Sequence, residues 1–137
     1  MSVVEETETS SVTVSLVVER PLDEVWDALM KPHGAEALLG EGGQLGQKGE
    51  HWAAIDGTYG VTRSFHPKEQ IRFSWHAEED APRTVVDLQL SGDAASTRLD
   101  LAHEHLPEDA DVDALAARWQ AALEAIARTL QNRRPLF

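Results

Sequence analysis

Between Val12 and Val18 the chain alternates: Val12, Val14, Leu16 and Val18 fall on one face of an extended segment, the period of a half-buried strand. The period then changes. In PLDEVWDALMKP, Leu22, Val25, Trp26 and Leu29 share one side of a helix, Pro21 suits the first helical position, and Asp23 and Glu24 suit the positive end of the helix dipole. Pro32 stops this run. A second short helical turn is predicted in GAEALL, after which five glycines in ten residues, Gly40 to Gly49, impose an irregular or sharply bent path.

Five further segments read as strands: HWAAI, GTYGVTRSFH, QIRFSWHA, RTVVDLQL and TRLDLAHEH. Asp56-Gly57, Pro67-Lys68, the acidic run through Pro82 and Ser91-Gly92-Asp93 separate them, and such short connections join antiparallel neighbours. Ile71, Phe73 and Trp75 share a face opposite Arg72, Ser74 and His76. Val86, Leu88 and Leu90 oppose Asp87 and Gln89, and Thr97, Leu99, Leu101 and His103 oppose Arg98, Asp100 and Glu104. One face of the sheet is therefore wet and the other covered.

The cover is a helix predicted from about Glu108 to Gln131, in which Val112, Leu115, Ala116, Trp119, Leu123, Ile126 and Leu130 lie within a stripe ~140° wide. Asp109 and Asp111 near its start, and Arg133 and Arg134 after its end, suit its dipole. The fold class is α+β: a curved antiparallel sheet wrapped around a long C-terminal helix, with two short helices after the first strand.

A length of 137 residues sets one domain. Residues 1–10 form an acidic tail expected to be disordered, 11–131 the domain, and 132–137 a short C-terminal tail. Twelve Lys and Arg against twenty-four Asp and Glu give a net charge of −12, which argues against nucleic acid or an anionic membrane as partner. The absence of cysteine excludes disulfides, thiol nucleophiles and thiolate metal sites. No apolar run approaches the ~20 residues of a membrane span, and the acidic N-terminus lacks the pattern of a signal peptide, so a cytoplasmic location is expected.

Taken in order, the first strand, PLDEVWDALMKP, the glycine-rich bend, DGTYGVTRSFHPKEQIRFSW, TRLDLAHEHLP and the terminal helix with Trp119 resemble the START-like (SRPBCC) superfamily. Within it they are most similar to bacterial homologues of the activator of the ninety-kilodalton heat-shock protein ATPase. The resemblance covers roughly residues 11–131. It implies a helix-grip fold with a cavity between sheet and helix, where members hold a lipid, polyketide or other bulky apolar molecule. A minority of members are cyclases or related enzymes, and the eponymous protein is a co-chaperone. Two positions depart from the pattern: Leu38-Leu39 stand where many relatives have an aromatic pair, and Arg118 precedes Trp119 where relatives often have glycine.

On this fold the expected function is binding of a small, largely apolar ligand, with walls from Trp26, Trp52, Phe65, Phe73, Trp75, Leu101 and Trp119, provided that the strand bearing Trp52 keeps the register of its neighbours. Arg63 shares that face if Val61 and Phe65 do, and would then pair with a carboxylate such as Glu50 or recognise an acidic ligand group; a slip of one residue makes it surface. His103 either orients a ligand or serves as acid/base, or caps the cavity end by bonding a backbone carbonyl. His103 and His105 are predicted on the same side of a strand, but no third ligand stands at a metal-site interval, so neither metal nor cofactor is expected. The glycine spacing matches no phosphate loop and reads as a cavity rim, and no catalytic triad can be assembled. The alternatives are a co-chaperone-like interaction module, partnered by a chaperone or other protein, and a cyclase-like or hydrolytic enzyme using His103. Ala114, Ala117, Ala121 and Ala125 form a smooth helix strip, whose role decides between a monomer and a weak homodimer.

Overall fold

The computed structural model describes residues 10–44, 48–78, 80–108 and 110–131. Its elements run β1 (Ser10–Val18), α1 (Leu22–Leu29), α2 (Pro32–Leu39), β2 (His51–Ala53), β3 (Tyr59–His66), β4 (Gln70–Trp75), β5 (Thr84–Gly92), β6 (Thr97–Leu106) and α3 (Val112–Gln131). The strands form one antiparallel sheet in the order β1-β6-β5-β4-β3-β2. From β2 to β6 every strand pairs with its neighbour in sequence, as the turn residues predict. β1 instead crosses to β6 and sets Ser15 opposite Asp100.

The predicted inner face is buried: Ile71, Phe73, Val86, Leu88, Leu99 and Leu101 are shielded, and from α3 Trp119, Leu123, Ile126 and Leu130 pack into the same core. At about 1.5 Å per residue the 20 residues of α3 span about 30 Å, comparable with the longest strands. α3 also packs against α2, whose Leu38 and Leu39 are fully buried. No helix among the described residues is long and apolar enough to cross a membrane.

Several boundaries differ from the sequence reading. Pro21 lies just outside α1, in extended conformation, and its carbonyl accepts from the Glu24 and Val25 N–H groups. Pro32 ends α1 and also opens α2. At Gly34 a Cβ would stand 1.9 Å from the Ala28 carbonyl oxygen, so only glycine permits α2 to turn this closely across the end of α1. α3 starts at Val112, where Asp111 caps it by accepting from the Ala114 N–H at 3.0 Å. Val112 itself is exposed, because the apolar stripe meets the core only from Leu115 onward. Asp87, expected in water, is buried on the outer face, where Gln70 donates to both its oxygens at 2.8 and 3.0 Å. Ser10 belongs to β1; the rest of the two proposed tails, Asp109, Arg133 and Arg134 lie outside the described residues.

Two β-bulges reset the pattern locally. In β3 the register slips between Thr62 and Ser64, so Gly60 and Thr62 face inward before the bulge, Phe65 returns to the core after it, and Arg63 is exposed. In β6 a slip opposite Ser10 and Val12 leaves His105 at φ +63° and exposed while His103 is fully buried. Of the two placements open to Arg63 the bulge in β3 gives the surface one, and the expectation that His103 and His105 share a side is corrected by the insertion in β6.

Candidate functional site

Inside the seam between sheet and α3, three side chains form a hydrogen-bonded chain. The Trp119 indole, which can only donate, gives its Nε1–H to His103 Nδ1 at 3.0 Å, so Nδ1 carries no proton. The neutral ring therefore bears its hydrogen on Nε2, 2.7 Å from Thr84 Oγ1, and donates to that hydroxyl. Thr84 passes its own hydrogen to the Trp75 carbonyl at 2.7 Å. Burial first, and the nearby positive charge of Arg118 second, push the His103 pKa down to about 4. A second proton on the ring would set N–H against N–H. His103 is thus a neutral bridge with both nitrogens engaged, and the sheet-to-helix seam is tied together through it.

Trp75 completes this cluster. Its ring meets His103 edge-on at 4.9 Å and Trp119 at 5.8 Å. Over both indoles lies the Arg118 guanidinium, 5.3 Å from the Trp75 centroid and 5.5 Å from that of Trp119, and it holds Asp56 of the β2–β3 turn at 3.2 Å. Burial alone would raise the Asp56 carboxyl, but hydrogen bonds from Thr58 and the Arg118 charge outweigh it and keep the group below the usual carboxylate range. Arg118 thus braces α3 against the turn. Arg118→Ala is expected to cost about 1 kcal/mol, given a half-exposed ion pair and two cation–π contacts, and to alter tryptophan emission; urea unfolding measures the first and fluorescence the second.

Trp75 and Thr84 also line an apolar groove of about 270 Å³, whose walls include Pro82 from the β4–β5 connection, Leu106 at the end of β6 with Pro107 beyond it, and Ala114 and Leu115 of α3. This is at the small end of ligand pockets, which run from roughly 300 Å³ upward. The Trp75 Nε1–H is buried with no acceptor among the described residues. A larger cleft of about 610 Å³ between β1 and α3 is walled partly by Glu19, Arg20, Glu124 and Arg128 and lacks this apolar character.

Of the residues proposed from sequence, Trp75 lines the groove, and His103 and Trp119 stand behind it through Thr84. Trp26 packs edge-on against Phe65 at 5.4 Å and Trp52 against Phe73 at 5.7 Å. Trp52 keeps the inward register, its Nε1 so close to Gly60 that a Cβ there would come within 2.9 Å. These four and Leu101 belong to the packed interior, and the groove opens at one end of α3. Arg63 lies on the other face. Among the described residues no three metal-ligating side chains converge. Sequence reasoning missed Thr84 and the small residues Ala77, Ala81 and Ala110 that leave the groove open. The one signal was the density of alanine and proline around the acidic loop and the helix start.

Fold and groove define a helix-grip protein of the START-like class. More narrowly, the chain belongs to the family described as Activator of Hsp90 ATPase homolog 1-like protein, whose model matches residues 19–131. Among solved structures it is similar to MLL2253 from Mesorhizobium loti, with 20% identity, a TM-score of 0.78, and coverage of 92% of this chain and 100% of that one. The Aha1 dimer from Colwellia psychrerythraea shares 15% identity at a TM-score of 0.73, over 93% and 100% of the two chains. DynU16, from the dynemicin biosynthetic locus, shares 25% identity at a TM-score of 0.74 over 91% of this chain and 48% of its own, so this chain spans about half its length. No curated protein matches the chain.

Proposed function

We propose that this protein binds a small, largely apolar molecule, of lipid, polyketide or aromatic metabolite class, in the groove beneath the first turns of α3. The observation that carries the reading is the groove itself, apolar and walled by Trp75, Leu106, Pro107 and Leu115. Its volume favours a single ring system or a short acyl chain. The groove walls are almost entirely apolar, which suits a guest without charged groups. The resemblance to DynU16 supports a biosynthetic setting.

The experiment is a fluorescence titration with short-chain acyl and aromatic polyketide-like compounds. Saturable quenching is expected in the native protein, absent in Ala114→Phe, which fills the groove from an exposed helix position and should leave the melting temperature nearly unchanged. A response that persists in Ala114→Phe, or no response from any compound, rejects the groove as the site.

A second reading, a co-chaperone-like interaction module, is favoured by the family match over residues 19–131. Stimulation of the ninety-kilodalton heat-shock protein ATPase, weakening with salt, is its expected result; an unchanged rate removes it. A cyclase-like or hydrolytic alternative would require His103 to release the bond to Trp119 or to Thr84. The alanine strip is open at Ala114, Ala117 and Ala121, and sedimentation at high concentration decides whether it pairs two copies.

A further inference from the structure

The two bulges aim their displaced residues at one place on the outer face of the sheet. Lys48, Arg63, Ser64, Arg72, Val85 and His105 surround an open depression of about 480 Å³. In a chain of net charge −12, three of its twelve Lys and Arg residues gather there. Arg72 reaches Glu104 at 3.3 Å, while its Nε–H is buried without an acceptor among the described residues. Lys48 and Arg63 are both exposed beside the same depression. Lys48, Arg63 and Arg72 thus bring three cations to one depression, where Glu104 holds Arg72.

The arrangement is built by the backbone. Gly49 donates to the Thr62 carbonyl at 2.7 Å and Thr62 to the Glu50 carbonyl at 2.9 Å, which holds Lys48 beside Arg63. The Ser74 hydroxyl accepts from the Val61 N–H at 2.9 Å just before the β3 bulge. On β6, His105 adopts a left-handed backbone that is uncommon for any residue but glycine, and through it lines the same depression. Strain that re-aims a side chain in this way gathers at binding sites.

We infer that this depression binds the phosphoryl head of a small phosphate monoester. Two guanidinium forks and an ammonium match the several oxygens and double charge of a phosphate dianion better than a planar monocarboxylate. The walls are polar apart from Val85, so the anionic head is the recognised part. The site is independent of the apolar groove on the covered side.

An amide NMR titration with phenyl phosphate tests it, at a pH well above the ester's second ionisation near about 6, with benzoate at matched ionic strength as the monoanion control. Saturable shifts are expected at Gly49, Ser64, Arg72 and His105, and Lys48→Gln and Arg63→Gln should each weaken binding by about tenfold. Both side chains are exposed, and an unchanged melting temperature will show that the variants remain folded. The inference is overturned by an absence of saturation at millimolar ester, by equal binding of benzoate, or by affinities that ignore both substitutions.

Discussion

Trp119→Ala is expected to destabilise the protein by about 5 kcal/mol, the upper end for a large-to-small core change. Trp119 is fully buried, stands edge-on to Trp75 and His103, and is the donor to His103 Nδ1. The substitution therefore opens a cavity and leaves a buried acceptor unpaired. For a domain whose total stability is about 5–15 kcal/mol, that is a large fraction, and the variant should unfold at low urea. Trp119→Phe separates the two contributions: it keeps most of the ring contacts, drops the N–H, and should cost about 1–3 kcal/mol. Equal stability of Trp119→Phe and the native protein in urea titrations would show that the hydrogen bond to His103 contributes nothing.

The second large effect is acid sensitivity. His103 takes up a proton near about 6.5 in the unfolded chain but only near about 4 in the folded one. Between those values the unfolded state holds the extra proton, so stability rises with pH. The contribution is fully present above about pH 6.5 and has been lost once the pH falls to about 4, a swing of about 3 kcal/mol. Asp56 and Asp93, both held below the usual carboxylate range, lose their contributions at lower pH, as it falls through their folded values. His103→Gln isolates the imidazole, since its amide can both accept from Trp119 and donate to Thr84 without titrating. Guanidinium melts across this window should show a steep slope for the native protein and a shallower one for His103→Gln. Parallel slopes would mean that the ring is not held neutral by its burial and neighbours.

The sheet was legible because its signals are local and redundant. Val86, Leu88 and Leu90 alternate cleanly, Asp56-Gly57 and Ser91-Gly92-Asp93 mark turns, and the stripe from Leu115 to Leu130 has a single period. Burial of His103 also followed from alternation along β6. What escaped were insertions of one residue: a bulge at Arg63 and another at His105 leave no compositional mark, yet each turns a side chain to the opposite face. The partners of His103 escaped for another reason. Thr84 and Trp119 lie 19 and 16 positions away from it, and nothing local says which hydroxyl or indole will meet an imidazole across a seam. Nor does the pattern of apolar residues tell filled space from empty space, because Trp26, Trp52 and Phe73 would face inward in either case.

The pairing of the first strand with the last has a bearing on synthesis. Ser15 and Asp100, joined by a side-chain hydrogen bond, are 85 positions apart. At about 5–20 residues per second, β1 leaves the ribosome between about 4 and 17 s ahead of the strand that will bond it. During that interval Val12, Val14, Leu16 and Val18 have neither the β6 ladder nor the helix to shelter them, so an unpaired apolar strand waits until the final third of the chain is made.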